Sequence, residues 1–326
     1  LVKAVESPNI VLILADDVGR EVLGSYGGTS YQTPNLDALA TTGIRFDHSY
    51  SMPVCYPSRI CLLTGRYPSQ IGNPKWGTFP RILEGQTLPR SLRDAGYATA
   101  IAGKWQLSLL KDDLAHPHRL GFEEYCLFGW HEGPRYYQPL IYQNGQERDD
   151  VSDQYGPEVY TDFLINFMDR NRNQRFFAFY SMALCHDVTD DLEAPVPFGP
   201  RGRYDSYSEM VAAMDKQVGR IVSAVNRLGL RENTLILFTT DNGTSKRSII
   251  TAENGQLIYQ NVLSRLGEVL VPGGKQELTD NGTRVPTIAN WKGMVEEGVI
   301  LEDLVDFCDF FPTLAELGGA KLPSGL

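Results

Sequence analysis

Cys55 heads the stretch Val54-Cys55-Tyr56-Pro57-Ser58-Arg59-Ile60-Cys61-Leu62-Leu63-Thr64-Gly65-Arg66, where residue types and spacing set up reactive chemistry. Pro57 suits a first helical position, since its missing N–H would have no partner there, and Gly65 supplies a stop. The spacing therefore predicts about two helical turns over Ser58 to Thr64. Cys55 then precedes the helix, where free N–H groups and the positive end of the dipole favour an anion or a nucleophile. A helix cap followed by an ordinary core thiol fits the same residues. Hard-cation chemistry is offered at two other places: Asp16-Asp17 follows the run Asn9 to Ala15, and Asp241-Asn242-Gly243 follows Thr234 to Thr240. Either is a common turn by itself, but two strand ends carrying oxygen donors favour one shared cation site. Lys104 and His186 also follow strand-like runs, and neither residue type alone identifies a role.

These residues need elements to hold them. Asn9-Ile10-Val11-Leu12-Ile13-Leu14-Ala15 is apolar on both faces and too short for a helix, which predicts a central parallel strand. Tyr97 to Ala102, Phe176 to Met182 and Thr234 to Thr240 read as further core strands, and Ile44 to Tyr50 as a looser one. Open α/β sheets bind ligands beyond the carboxyl ends of their strands, which is where the two acidic pairs fall. Helices are predicted at Thr33 to Ala40 and Thr87 to Gly96, each capped with proline near its start, at Pro157 to Arg172, and at Ser206 to Leu228. Gly72 to Gln86, with Trp76, Phe79 and Arg81, reads as an irregular loop that could line a cleft or simply pack on itself. Gly121 to Asp150 is aromatic and polar without clear periodicity, and Thr244 to Pro272 reads as a variable loop region.

The totals narrow the classes. A chain of 326 residues, 42% hydrophobic and 21% charged, is long enough for one large domain with a sizeable core. A net charge of -10 argues against a nucleic-acid partner, which needs a basic stripe. Cys55, Cys61, Cys126, Cys185 and Cys308 lack paired metal or redox spacing and are too sparse for a disulfide framework. No apolar run approaches the ~18 residues of a membrane span. Leu1 to Pro8 has no signal-peptide pattern, which fits a cytoplasmic protein or an exported one already trimmed.

Several motifs in one order resemble the type I sulfatases. They are Pro8-Asn9 through Asp16-Asp17, Cys55-x-Pro57-Ser58-Arg59 with Leu63-Thr64-Gly65-Arg66, Gly103-Lys104-Trp105, Asp241-Asn242-Gly243, and Lys275 with Arg284-Val285-Pro286. Phe311-Pro312-Thr313-Leu314, within the stretch Asp303 to Gly318, looks like the helix that closes the family's main domain. The resemblance implies an alkaline-phosphatase-like α/β sandwich, with a mostly parallel sheet and helices on both faces. It also implies that a maturation enzyme oxidises Cys55 to formylglycine, the hydrated aldehyde being the nucleophile. Calcium would be held by Asp16, Asp17, Asp241 and Asn242. Arg59 would hold the aldehyde, Lys104 and Lys275 would contact the sulfate, and His186 would protonate the leaving alcohol. Residues 1–326 would form a catalytic domain lacking all or most of the family's smaller C-terminal subdomain. The substrate would be a small-molecule or oligosaccharide sulfate ester, a sulfated carbohydrate above all, and the location periplasmic or secreted.

The chain departs from the family where its Gly-Lys-Trp-His-Leu-Gly reads Gly103-Lys104-Trp105-Gln106-Leu107-Ser108. Glutamine orients by hydrogen bonds but has no usable proton affinity near neutral pH. His116, His118 and His131 are candidates for a replacement base by proximity in sequence, and Gln106 and His131 are candidate substrate contacts. His186 is followed by Asp187 in place of the family's proline, and Asp187 could orient it. Alternatives are a phosphomonoester or phosphonate hydrolase on the same scaffold, and a catalytically idle relative that binds sulfated glycans.

Overall fold

The apolar run at Asn9–Ala15 is strand β1, buried along its whole length. A computed structural model describes residues 7–130, 132–187, 206–253 and 256–326. In chain order the remaining strands are β2 (Ile44–Tyr50), β3 (Ala98–Trp105), β4 (Glu124–Gly129), β5 (Tyr142–Gln143), β6 (Gln146–Glu147), β7 (Phe176–Ser181), β8 (Thr234–Thr240), β9 (Arg247–Glu253), β10 (Gln256–Asn261), β11 (Leu263–Leu266), β12 (Val269–Pro272), β13 (Thr287–Asn290) and β14 (Val299–Asp306). The α-helices are α1 (Pro34–Thr41), α2 (Cys55–Thr64), α3 (Leu88–Asp94), α4 (His116–Arg119), α5 (Gly156–Arg170), α6 (Tyr207–Arg227), α7 (Asp280–Thr283) and α8 (Phe310–Leu317).

Ten strands form one sheet in the order β14-β2-β13-β8-β1-β7-β3-β4-β5-β6. β8, β1, β7, β3 and β4 run parallel, so their carboxyl ends share one edge. β13 is antiparallel to both its neighbours. Alternate residues of β1 feed opposite layers, as a period of two requires. Val11 and Ile13 pack with Leu36, Phe163 and Met210 from α1, α5 and α6. Ile10, Leu12 and Leu14 pack with Ile60, Leu92 and Phe311 from α2, α3 and α8. Each such side chain contributes roughly 1.5–3 kcal/mol on full burial.

The structure departs from the sequence reading in several places. Helix α2 begins at Cys55, with Val54 extended before it, so the thiol sits in the first turn and not ahead of it. Pro57 is accommodated because N–H groups of a whole first turn lack intrahelical acceptors. Strand β3 continues through Gly103, Lys104 and Trp105, which extends the predicted strand past Ala102. Threonine side chains do not cap α1 or α3. The α1 amides of Asn35 and Leu36 bond instead to the Asp215 carboxylate of α6, at 3.1 and 2.9 Å. The region predicted as variable loop forms two hairpins, β9–β10 and β11–β12. Residues Asp303 to Asp306 end the edge strand β14, and only Phe310–Leu317 is the closing helix. Within Gly121 to Asp150, β4 joins the main sheet beside β3.

Candidate active site

Cys55 Sγ, one carboxylate oxygen of Asp16 and one of Asp241 lie within 4.8 Å of one another, all buried. Three elements make this meeting. β1 and β8 are adjacent and in register to Ala15 and Thr240, so Asp16 and Asp241 emerge side by side. Helix α2 then lays its first turn across them: the Ser58 hydroxyl donates to the Asp241 carbonyl at 2.5 Å and receives the Met52 amide at 3.1 Å. Gly65, at φ 63, ends that helix in the left-handed region. Asp17 also takes a left-handed backbone, φ 57, a conformation aspartate tolerates better than most residues. Asn242 Nδ2 at 2.8 Å and the Lys275 ammonium at 2.7 Å hold its carboxylate.

Three cations face three carboxylates. Arg59 Nη2 meets Asp241 at 2.6 Å and Asp16 at 3.3 Å, and its Nη1 donates to Ser181 at the end of β7. Lys104, from the end of β3, pairs with Asp16. Lys275 is set by two backbone bonds that tie its loop in, Lys275 N to the Thr244 carbonyl at 3.1 Å and Gln276 N to the Pro53 carbonyl at 2.8 Å. Burial opposes ionisation of Asp16, yet Lys104, His186, Arg59 and Lys275 outweigh it and hold the carboxyl well below the usual range. Burial and the adjacent Asp16 push Asp241 up, against Arg59 and Lys104. Burial also pushes the Cys55 thiol up, which Lys104 and Lys275 only partly offset. As a thiol, residue 55 therefore stays protonated at neutral pH.

The donor set suits a hard cation. Among the described residues, Asp16 Oδ1 and Asn242 Oδ1 are buried acceptors that meet no hydrogen-bond donor. Buried oxygens of this kind are costly unless something electropositive reaches them. Asp16, Asp17, Asp241 and Asn242 offer only oxygen ligands in the right sense, as calcium prefers. Gln106 Nε2 lies 3.1 Å from Cys55 Sγ, and its Oε1 is a third buried acceptor without a donor among the described residues.

Of the residues expected from the sequence, the structure brings Asp16, Asp17, Cys55, Arg59, Lys104, Gln106, Asp241, Asn242 and Lys275 together in one set of contacts, and His131 lies outside the described residues. His186 stands at the end of β7 in a loop bonded to β1, Cys185 N reaching the Asp16 carbonyl. Two of the other histidines, His116 and His118, make contacts elsewhere. His116 packs edge-on against Phe79 and Trp105, and His118 Nδ1 bonds the Phe122 carbonyl at 2.8 Å. Sequence reasoning missed Ser58 and Ser181, which anchor Arg59 and its helix, and Arg135 and Tyr136, which hold the His186 loop. The serine next to Arg59 was visible as part of a motif; Arg135 and Tyr136 sit in an aperiodic stretch that carries no signal.

The Sulfatase family model matches residues 8–320. N-acetylgalactosamine-6-sulfatase of Canis lupus familiaris is 32% identical over 358 residues, covering 98% of this chain and 64% of the relative. Arylsulfatase A of Homo sapiens is 32% identical over 348 residues, covering 97% of this chain and 65% of the relative. The chain thus spans slightly under two thirds of the length of these relatives. Among solved structures, Ps i-CgsB in complex with k-i-k-neocarrahexaose has a TM-score of 0.76 at 28% identity, covering 98% of this chain and 73% of that one. The mostly parallel sheet between two helical layers is the α/β sandwich that the motifs implied.

Proposed function

The chain belongs to the sulfatase family, and from that premise we propose that it hydrolyses the sulfate ester of a sulfated carbohydrate, using formylglycine made from Cys55 and a bound calcium ion. One observation carries this reading: buried residue 55 lies within 4.8 Å of carboxylate oxygens from two separate strand ends. The raised thiol adds support, because a protonated cysteine is a poor nucleophile and oxidation to an aldehyde removes that obstacle. Sugar as the alcohol is suggested by the relative named N-acetylgalactosamine-6-sulfatase and by the neighbour's oligosaccharide complex.

Asp16, Asp17, Asp241 and Asn242 would hold the ion. When bound, calcium supplies a Lewis acid for a sulfate oxygen, and the hydrated aldehyde supplies the attacking hydroxyl. Arg59, Lys104 and Lys275 offset negative charge at the sulfuryl group in a site that burial keeps low in dielectric. Gln106 orients residue 55 through its carboxamide, and His186 gives a proton to the departing oxygen. A formylglycine-generating enzyme is the implied partner, and a periplasmic or secreted location the implied setting. Among the described residues no helix is long and apolar enough to cross a membrane.

The test combines a peptide mass spectrum across Cys55 with parallel assays on sulfated sugars and their phosphate counterparts. We expect the aldehyde mass and a rate preference for sulfate. Cys55→Ser, made in a host that cannot oxidise serine, should fold normally and lose turnover. A thiol mass in fully active protein, or a preference for phosphate, would overturn the reading.

A further inference from the structure

His186 is held from two sides by groups of opposite hydrogen-bonding character. Arg135 Nη1 lies 3.0 Å from His186 Nδ1, while the Asp187 carboxylate Oδ1 and carbonyl O each lie 3.3 Å from the same nitrogen. A guanidinium can only donate, and those oxygens can only accept. Among the described residues, all the ring's hydrogen-bond contacts fall on Nδ1. Arg135 is only 1% exposed, with its guanidinium over the Phe128 ring at 5.5 Å, so β4 fixes its position. The next residue continues the clamp: the Tyr136 hydroxyl meets the Ala183 carbonyl at 2.8 Å and the His186 carbonyl at 2.6 Å. One short loop therefore grips both the backbone and the ring of His186.

We propose that Arg135 and Asp187 are a pair of positioning residues that keep a hydrogen on His186 Nε2 in both charge states of the ring. When the ring is neutral, Nδ1 accepts from Arg135, so the single ring proton must sit on Nε2. When the ring is protonated, Nδ1–H donates to Asp187 and the ring keeps its place. This rests on the sulfatase reading above for what Nε2 meets. There, the Nε2 proton passes to the bridging oxygen as the S–O bond breaks and its electron pair stays on that oxygen. The alcohol leaves neutral, and the imidazolium becomes a transient imidazole with its proton on Nδ1 at Asp187; solvent then reprotonates Nε2, and loss of the Nδ1 proton to solvent restores the resting Nε2–H form that accepts from Arg135.

A proton donor matters for a sugar alcohol, which is a poor leaving group, and hardly at all for 4-nitrophenol. In aldehyde-bearing protein, Arg135→Leu should lower kcat on an alkyl sugar sulfate about 100-fold, in line with the loss of a general acid, with KM little changed. Turnover of 4-nitrophenyl sulfate should be nearly preserved, and Arg135→Gln, which keeps an N–H donor, should recover much of the loss. Equal losses on both esters in a folded variant, or no loss on either, would overturn the inference. Nitrogen-15 NMR of the histidine ring gives a readout independent of turnover, with His186→Gln assigning the signal. The neutral wild-type ring should carry its proton on Nε2, and Asp187→Asn should leave that tautomer intact. An Nδ1–H tautomer in the wild type would overturn the inference even if Arg135→Leu failed to fold. Aldehyde-bearing wild type that cleaves neither ester would refute the sulfatase reading instead, and the tautomer would still decide the ring's positioning.

Discussion

His116 shows how a single residue can be read for chemistry and turn out to be scaffold. It is 2% exposed and wedged between Phe79 and Trp105, and burial lowers its pKa to about 4, with Glu84 only partly compensating. The unfolded ring titrates near its ordinary 6.5, so between those values the unfolded chain binds more protons. The sign follows: this contribution is fully present above about pH 6.5 and is lost as pH falls toward 4, on the order of 3 kcal/mol at most. Melting temperatures of the wild type should fall over that interval more steeply than those of His116→Gln, and parallel curves would refute it. Residues such as Cys55, Asp16, Lys104 and Asp241 were legible in the sequence because each belongs to a local motif. Arg135 was not, because its role arises only when an aperiodic loop folds against β4 and meets a residue 51 positions away.

At the scale of elements, the close approach of β3 to β7 positions Lys104. Gly103 has φ +103, and a Cβ there would stand 2.0 Å from the Ser181 carbonyl oxygen. Ser181 also receives Arg59 and donates to the Lys104 carbonyl at 2.8 Å, so the contact links two of the site's cations. Gly103→Ala must push the strands apart or twist the backbone, and should cost about 2 kcal/mol or more. Denaturant midpoints should drop, and sulfate-ester turnover should drop further than stability alone explains; unchanged turnover would show that Lys104 does not depend on this contact. The core strands were legible because continuous branched and aromatic runs have few other uses. The β11–β12 hairpin was not, since its strands are only four residues long and much of its apolar surface, Leu263, Val269 and Leu270, stays exposed. Edge strand β14 was masked by its charged residues Glu302, Asp303 and Asp306.

Across the whole molecule, the acidic centre joins the first strand to the eighth and should respond to calcium as a unit. An ion that binds only the folded chain stabilises it by RT ln(1 + [Ca]/Kd), about 2.7 kcal/mol at a hundredfold excess over Kd. Calcium should therefore raise the melting temperature by several degrees, chelation should reverse this, and Asp16→Asn should abolish the increment. A calcium effect that survives in Asp16→Asn would place the ion elsewhere. The central position of β1 has a further result during synthesis. Its six apolar residues, Ile10 to Ala15, leave the ribosome well before the strands that cover both its edges, which end at residues 181 and 240. Until those strands emerge this segment is sticky and unpartnered, a situation that favours chaperone capture and makes refolding from denaturant slow. The thiol at position 55, only 7% exposed once the fold closes, stays open throughout that wait, and a modifying enzyme would have its access then.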